Sequence, residues 1–151
     1  MHPTASKVQE RLRERGLDVD VRDLPDSTRT AAEAAAAVGA ELGQIVKSLV
    51  FIADGEVVMC LCAGDRRVDP AKLGTDARPA RADEAREATG FAIGGVPPLG
   101  HDRPLPTVVD ESLRRFETVW CAAGTPNAVF ETRLDDLLRA LGDADVRDVA
   151  A

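Results

Sequence analysis

Apolar and polar positions alternate along this chain with two periods, and the switches between them divide it into short elements. Ser6 and Gln9 have the spacing of a capping box, and the stretch to Arg15 reads as a helix with Val8 and Leu12 on one stripe, stopped by Gly16. Leu17 to Val21 alternates apolar residues with Asp, the pattern of a half-exposed strand. Pro25, Asp26 and Ser27 form a turn signal. Thr30 and Glu33 repeat the capping-box spacing ahead of an Ala-rich helix from Ala31 to Val38, ended by Gly39.

Gln44 to Ile52 is β-branched and apolar, and Glu56 to Cys62 returns with the same character. Asp54-Gly55 between them is a two-residue hairpin signal, because both positions of such a turn need positive φ. Asp69-Pro70 opens a short helix, with Asp as cap and Pro at the first helical position. Asp83 to Thr89 forms another, stopped by Gly90. Phe91 to Gly100 reads FAIGGVPPLG, too rich in Gly and Pro for a regular element, so it is a shaped loop. Pro106 to Asp110, Thr118 to Ala122 and Ala128 to Thr132 read as strands, the last two joined by Gly124-Thr125-Pro126-Asn127. Leu134 to Leu141 is a final helix, acidic early and Arg-bearing late, as its dipole favours. Short helices interleaved with strands, without a repeat or a linker, predict one α/β (α+β) domain over residues 1–151.

Composition narrows the function classes. The 151 residues are 44% hydrophobic, enough for a core without disulfides or metal. The net charge of −7 argues against coating DNA or RNA non-specifically, which needs many cations against phosphates. It leaves room for a pocket that reads one end of a nucleic acid. Cys60, Cys62 and Cys121 lie in apolar runs without a CxxC pair, and His2 and His101 are the two histidines, so no metal site and no cofactor motif is expected. No apolar stretch has the length of a signal peptide core or a membrane span, which predicts a cytoplasmic protein with reduced thiols.

Lys47 is the compositional oddity. Three lysines stand against sixteen arginines, yet one lysine sits in the most apolar strand, between Val46 and Ser48. Desolvation disfavours an ammonium there, so it is either functional or an edge lysine that discourages aggregation. Free N–H groups at Gly94, Gly95 and Val96 could hold an oxyanion, or the loop could be a tight crossover. Asp110 could pair with Lys47 or bind substrate, or simply cap a helix from Glu111. His101 could be a general base or a surface residue. Ser48 and Lys47 are strand neighbours on opposite faces, which argues against a Ser–Lys dyad, and Trp120 reads as core.

Taken in order, IVKSLVF, TGFAIGGVPPLGH, LPTVVD and WCAAGTP resemble the YbaK/ProXp family of free-standing aminoacyl-tRNA deacylases, related to the editing insertion domain of bacterial prolyl-tRNA synthetase. The resemblance runs from Thr30 to Leu138. It implies a curved, partly closed mixed β-sheet flanked by helices. It implies hydrolysis of the ester joining a small wrong amino acid, such as alanine or cysteine, to the acceptor end of proline tRNA. Carried over by motif, Lys47 is the family's lysine, and Gly94, Gly95, Val96, Pro97 and Gly100 its glycine-proline loop. Thr30, Ser48, Phe91, Ile93, His101, Asp110 and Gly124 fall around the substrate. Water attack, a backbone oxyanion site and Lys47 as positioning residue make up the implied mechanism. Prolyl-tRNA synthetase or an elongation factor would present the tRNA. Asn127 stands where close relatives carry His. A non-catalytic tRNA- or synthetase-binding module, or a hydrolase of another small ester, are the rival readings.

Overall fold

The computed structural model describes residues 1–24 and 30–151. The turn expected at Pro25 to Ser27 lies outside them. The first helix, α1 (Pro3–Glu14), starts earlier than the Ser6–Gln9 pattern suggests, because His2 Nδ1 accepts the Thr4 N–H at 3.0 Å and Pro3 supplies a helical φ. Ala5, Val8 and Leu12 form its buried stripe. Gln9 is no cap: its Oε1 accepts the Val21 N–H at 2.7 Å. That bond helps explain why Leu17 to Val21 alternates in burial as expected but joins no ladder, leaving only β1 (Arg22–Asp23) to pair.

Helix α2 (Ala31–Val38) follows its signals closely: Thr30 Oγ1 accepts the Glu33 N–H at 3.1 Å, and Gly39 closes it at φ 71°. A 3-10 turn over Leu42–Gln44 then takes the residue expected to open the next strand, and Ile45 caps that turn. There Gln44 Oε1 accepts the Glu41 N–H, while Nε2 donates to the Thr118 carbonyl at 3.1 Å, so the side chain competes with the ladder. The hairpin of β2 (Val46–Ala53) and β3 (Glu56–Ala63) turns on Asp54 and Gly55, at φ 53° and 77°. This is the twist-matched geometry that Asp-Gly favours.

Around the hairpin a mixed sheet assembles. β4 (Arg78–Pro79) pairs antiparallel with β2, β5 (Thr107–Asp110) runs parallel to β3, and β8 (Asp145–Arg147) parallel to β5. Between them in the chain come α3 (Ala82–Thr89), β6 (Thr118–Ala122), β7 (Ala128–Arg133) and α4 (Leu134–Leu141). The strand order is β4-β2-β3-β5-β8, and β1-β7-β6 forms a second sheet. An Ile45–Trp120 bridge joins the two without closing a barrel. The curved sheet expected from the resemblance is thus a mixed α/β domain with two sheets linked at one point.

Successive residues of β2 face opposite sides. Val46 and Val50 point with Met59 and Leu61 into the main core, which α1, α3 and the second sheet complete. Leu49 and Phe51 join Cys60, Cys62, Val108 and Val149 on the other face. Lys47 shares the parity of that second set, and Ser48 the parity of the first.

Candidate active site

The side chains of the described residues leave the gap between the two sheets unfilled. Where β2 leaves the Ile45–Trp120 bridge, α2 crosses above it with Ala31 and Ala34, residues too small to plug the space. The result is a cavity of about 250 Å³. Its walls come from Thr30 and α2, from Ile45 to Leu49, from Ile93, Gly94 and Val96, from Trp120 to Ala122, and from Pro126 and Val129. A second, larger groove of about 530 Å³ adjoins it, and the two share Lys47, Ser48, Leu49, Ile93 and Val96.

Lys47, Ser48, Thr30, Ile93, Gly94 and Val96 therefore come together at the cavity. The Lys47 Nζ donates to the Arg66 carbonyl, a tether from β2 to the loop after β3 that fixes the ammonium at the junction of the two hollows. Ser48 Oγ is buried and has no hydrogen-bond partner among the described residues, a polar atom left open beside the cavity. Ile93 is 58% exposed at the rim, unusual for so large an apolar side chain.

The loop behind the rim is held from below. Gly95 donates its N–H to the Ala92 carbonyl at 3.0 Å, so the expectation that all three loop N–H groups are free is corrected: only those of Gly94 and Val96 lack a partner among the described residues. Gly95 in turn accepts from Gly124 at 2.7 Å. Phe91 is buried at 2% exposure, its N–H held by Thr89 Oγ1 at 3.0 Å and its ring under the Lys7 ammonium. Phe91, Gly95, Pro97 and Gly124 thus shape the loop rather than line the cavity.

Three expected site residues go elsewhere. Gly100 and His101 border a separate hollow of about 100 Å³ with Arg15 and Arg103. The Gly100 carbonyl accepts from Arg11 at 2.9 Å, and His101 Nε2 donates to the Pro97 carbonyl at 2.7 Å. Burial pushes the His101 pKa down, so the neutral ring serves as a loop brace. Asp110 is 1% exposed and does not reach Lys47. Its Oδ1 accepts the N–H groups of Val149 and Ala150 at 2.9 and 3.1 Å, and its Oδ2 accepts from the Ser112 N–H and hydroxyl. Burial pushes the Asp110 carboxyl up, but these hydrogen bonds together outweigh it and hold the carboxyl below its ordinary range. Asp110 caps the turn over Glu111–Arg115, the simplest of its three expected roles, and fastens the C-terminal segment.

Several wall residues carried no functional signal of their own. Trp120, read as core, is 8% exposed and lines the cavity, with the Arg22 guanidinium 4.8 Å from its ring centroid. Cys121 also lines it, but full burial raises its thiol pKa, which keeps it protonated. Burial likewise raises Cys60, to about 12. Among the described residues no carboxylate or histidine lines the cavity, whose described walls offer the Lys47 cation, backbone donors and apolar surface but no nucleophile–base pair. Such a site can orient an already activated bond and hold developing negative charge.

Comparison with known proteins accords with that chemistry. The aminoacyl-tRNA editing domain family matches residues 25–140. A crystal structure of a candidate trans-editing enzyme for prolyl tRNA synthetase superposes with a TM-score of 0.93 at 48% identity, covering 100% of this chain and 99% of the other. An uncharacterized protein of Bacillus subtilis, YwhH, is 38% identical over 117 residues, 74% of each chain. Proline–tRNA ligase of Lactobacillus gasseri is 34% identical over 110 residues, covering 69% of this chain but only 20% of the ligase. No helix among the described residues is long and apolar enough to cross a membrane.

Proposed function

The chain belongs to the aminoacyl-tRNA editing domain family, an ester hydrolase by that membership, and we propose that it cleaves a small non-proline amino acid from the 3′-terminal adenosine of proline tRNA. The observation that carries this reading is the meeting of Lys47 with the Gly94 and Val96 N–H groups at one small apolar cavity.

The amino acid side chain enters the 250 Å³ cavity against Ala34, Trp120 and Val129, and the ester lies at its mouth. An aminoacyl ester is activated, so an oriented water suffices without a covalent enzyme intermediate. As water adds, the carbonyl oxygen gains charge and is held by the two loop N–H groups. Lys47 fixes the adenosine end of the substrate so that the ester stays in register with them. The vicinal ribose hydroxyl relays the proton to the leaving oxygen, since no carboxylate or histidine among the described residues lines the cavity. Size selection in an apolar pocket is coarse, about 1–3 kcal/mol per methylene, so alanine and cysteine are both accepted. Proline is spared because it presents no primary amine and fills its ring differently.

A chain of net charge −7 holds tRNA weakly by itself, so prolyl-tRNA synthetase or an elongation factor delivers the substrate. The cell compartment of this traffic is the cytoplasm. The test is hydrolysis of alanyl-, cysteinyl- and prolyl-tRNA specific for proline by the purified chain. Release of alanine or cysteine with prolyl-tRNA spared supports the reading. Binding without turnover, or turnover of free amino acid esters alone, overturns it.

A further inference from the structure

The larger groove beside Lys47 has no role in holding the amino acid. Its floor is apolar, with Phe51, Val68, Pro70, Pro79 and Ala80, and Arg67 stands at its edge. At about 530 Å³ it is roughly twice the size of the amino acid cavity and lies within the range of small-molecule sites. The two hollows share Lys47 and the rim residues Ile93 and Val96, so a ligand with two unequal parts joined by an ester can occupy both at once.

Arg67 is the one arginine among the described residues that line this groove. Many arginines here are neutralised: Arg11 by Asp102, Arg13 by Asp20, Arg78 by Glu84, Arg115 by Asp65 and Arg147 by Asp145. The exposed Arg67 guanidinium makes no hydrogen bond or ion pair among the described residues. Its nearest acids in sequence are engaged elsewhere. Asp65 binds Arg115 through both oxygens at 2.7 and 2.9 Å, and Asp69 accepts the Ala71 N–H at 3.1 Å. The Arg67 backbone is fixed meanwhile, its carbonyl accepting the Ala151 N–H at 2.8 Å and the next residue, Val68, bridging to Ala150. An acidic protein thus holds a free guanidinium on a rigid backbone at the edge of an apolar groove beside Lys47.

We propose that this groove seats the terminal nucleotide of the tRNA, its base against the apolar floor and its phosphate on Arg67. The assignment rests on the tRNA-ester reading of the neighbouring cavity. Arg67 is here a binding and positioning residue: its guanidinium pairs with phosphate oxygens, or lies flat on a base, in geometries an ammonium does not reproduce. It divides the work with Lys47, which holds the adenosine's ribose next to the ester while Arg67 takes the phosphate.

Two substrates separate the possibilities: alanyl-tRNA specific for proline, and the same amino acid esterified to adenosine without a 5′-phosphate. Arg67→Ala lowers the ratio of kcat/KM for the tRNA over that for the adenosine ester by about tenfold, the weight of one charge-assisted hydrogen bond. The loss lies in KM, Arg67→Glu deepens it and Arg67→Lys restores part of it. The salt dependence of KM for the tRNA becomes shallower by about 0.7 in log–log slope, as expected when one phosphate of a single strand is no longer neutralised. An unchanged ratio with unchanged salt slope, while the wild type hydrolyses alanyl-tRNA, overturns the groove assignment and leaves the deacylase reading standing. If the wild type cleaves neither substrate, the deacylase reading falls, and nuclear magnetic resonance titration with adenosine 5′-monophosphate decides the groove. Shifts at the Arg67, Val68 and Ala80 amides that disappear in Arg67→Glu uphold it, and their absence overturns it.

Discussion

Gly124 donates its backbone N–H to the Gly95 carbonyl at 2.7 Å, and this bond ties the β6–β7 turn to the loop that lines the cavity. The approach is so close that a Cβ on Gly95 would lie 2.7 Å from the Gly124 carbonyl oxygen and 3.0 Å from the Thr125 Cα. Both are backbone atoms, which cannot rotate aside. Gly95→Ala is therefore expected to cost about 1–3 kcal/mol, seen as a melting temperature lowered by about 2–4 °C per kcal/mol. Deacylation falls with it, because Gly94 and Val96 move with the loop. A variant with wild-type melting and rate would show that the contact relaxes freely.

Lys47→Met keeps the aliphatic stem and removes the ammonium that donates to the Arg66 carbonyl. Circular dichroism should stay native, while kcat/KM toward mischarged tRNA falls by about 100-fold or more, the scale of a misplaced substrate. Lys47→Arg does not restore it, since a planar fork replaces a compact charge. A Met variant within threefold of wild type would remove Lys47 from the mechanism.

Ala34 lines the cavity proposed to take the amino acid. Ala34→Leu adds three carbons to a space of about 250 Å³. Larger amino acids should lose at least about tenfold in kcat/KM relative to alanine, in line with pocket selection per methylene. Equal losses for all amino acids would place the side chain elsewhere.

Asp110 stabilises the fold in a pH-dependent way. Its carboxyl titrates lower in the folded chain than unfolded, so its contribution is fully present above about pH 4. It is lost as pH falls through the lower, folded value. Asp110→Asn should destabilise by about 1–3 kcal/mol at neutral pH and flatten the acid limb of the stability curve below pH ~4. Urea unfolding at a series of pH values measures both.

His101 acts in the same direction at higher pH in the same experiment. Its folded pKa is depressed by burial, so the unfolded chain takes up the proton first. Stability is then full above about pH 6.5 and declines as pH falls toward the folded value. His101→Gln should abolish that part of the slope, and a slope identical to wild type would assign it to other groups.

The sequence by itself determined what depends on neighbours a few residues apart. The Asp54-Gly55 hairpin, the Thr30–Glu33 cap, the Gly39 and Gly90 stops and the irregular Phe91–Gly100 loop are local φ preferences and short hydrogen bonds, and each is where its residues imply. Lys47 was legible as well, as a charge in an apolar strand. Tertiary structure decided the rest. Asp110 looked free to reach Lys47 until Val149, 39 residues on, took its carboxylate oxygen. Gly95 looked like an oxyanion donor until the loop folded back onto Ala92. The two short edge strands β4 and β8 have no periodicity of their own and exist only because β2 and β5 offer open edges. The cavity itself belongs to no segment. It is the space left where two sheets meet at one bridge under a helix of alanines, and a hollow between distant elements leaves no pattern in any of them.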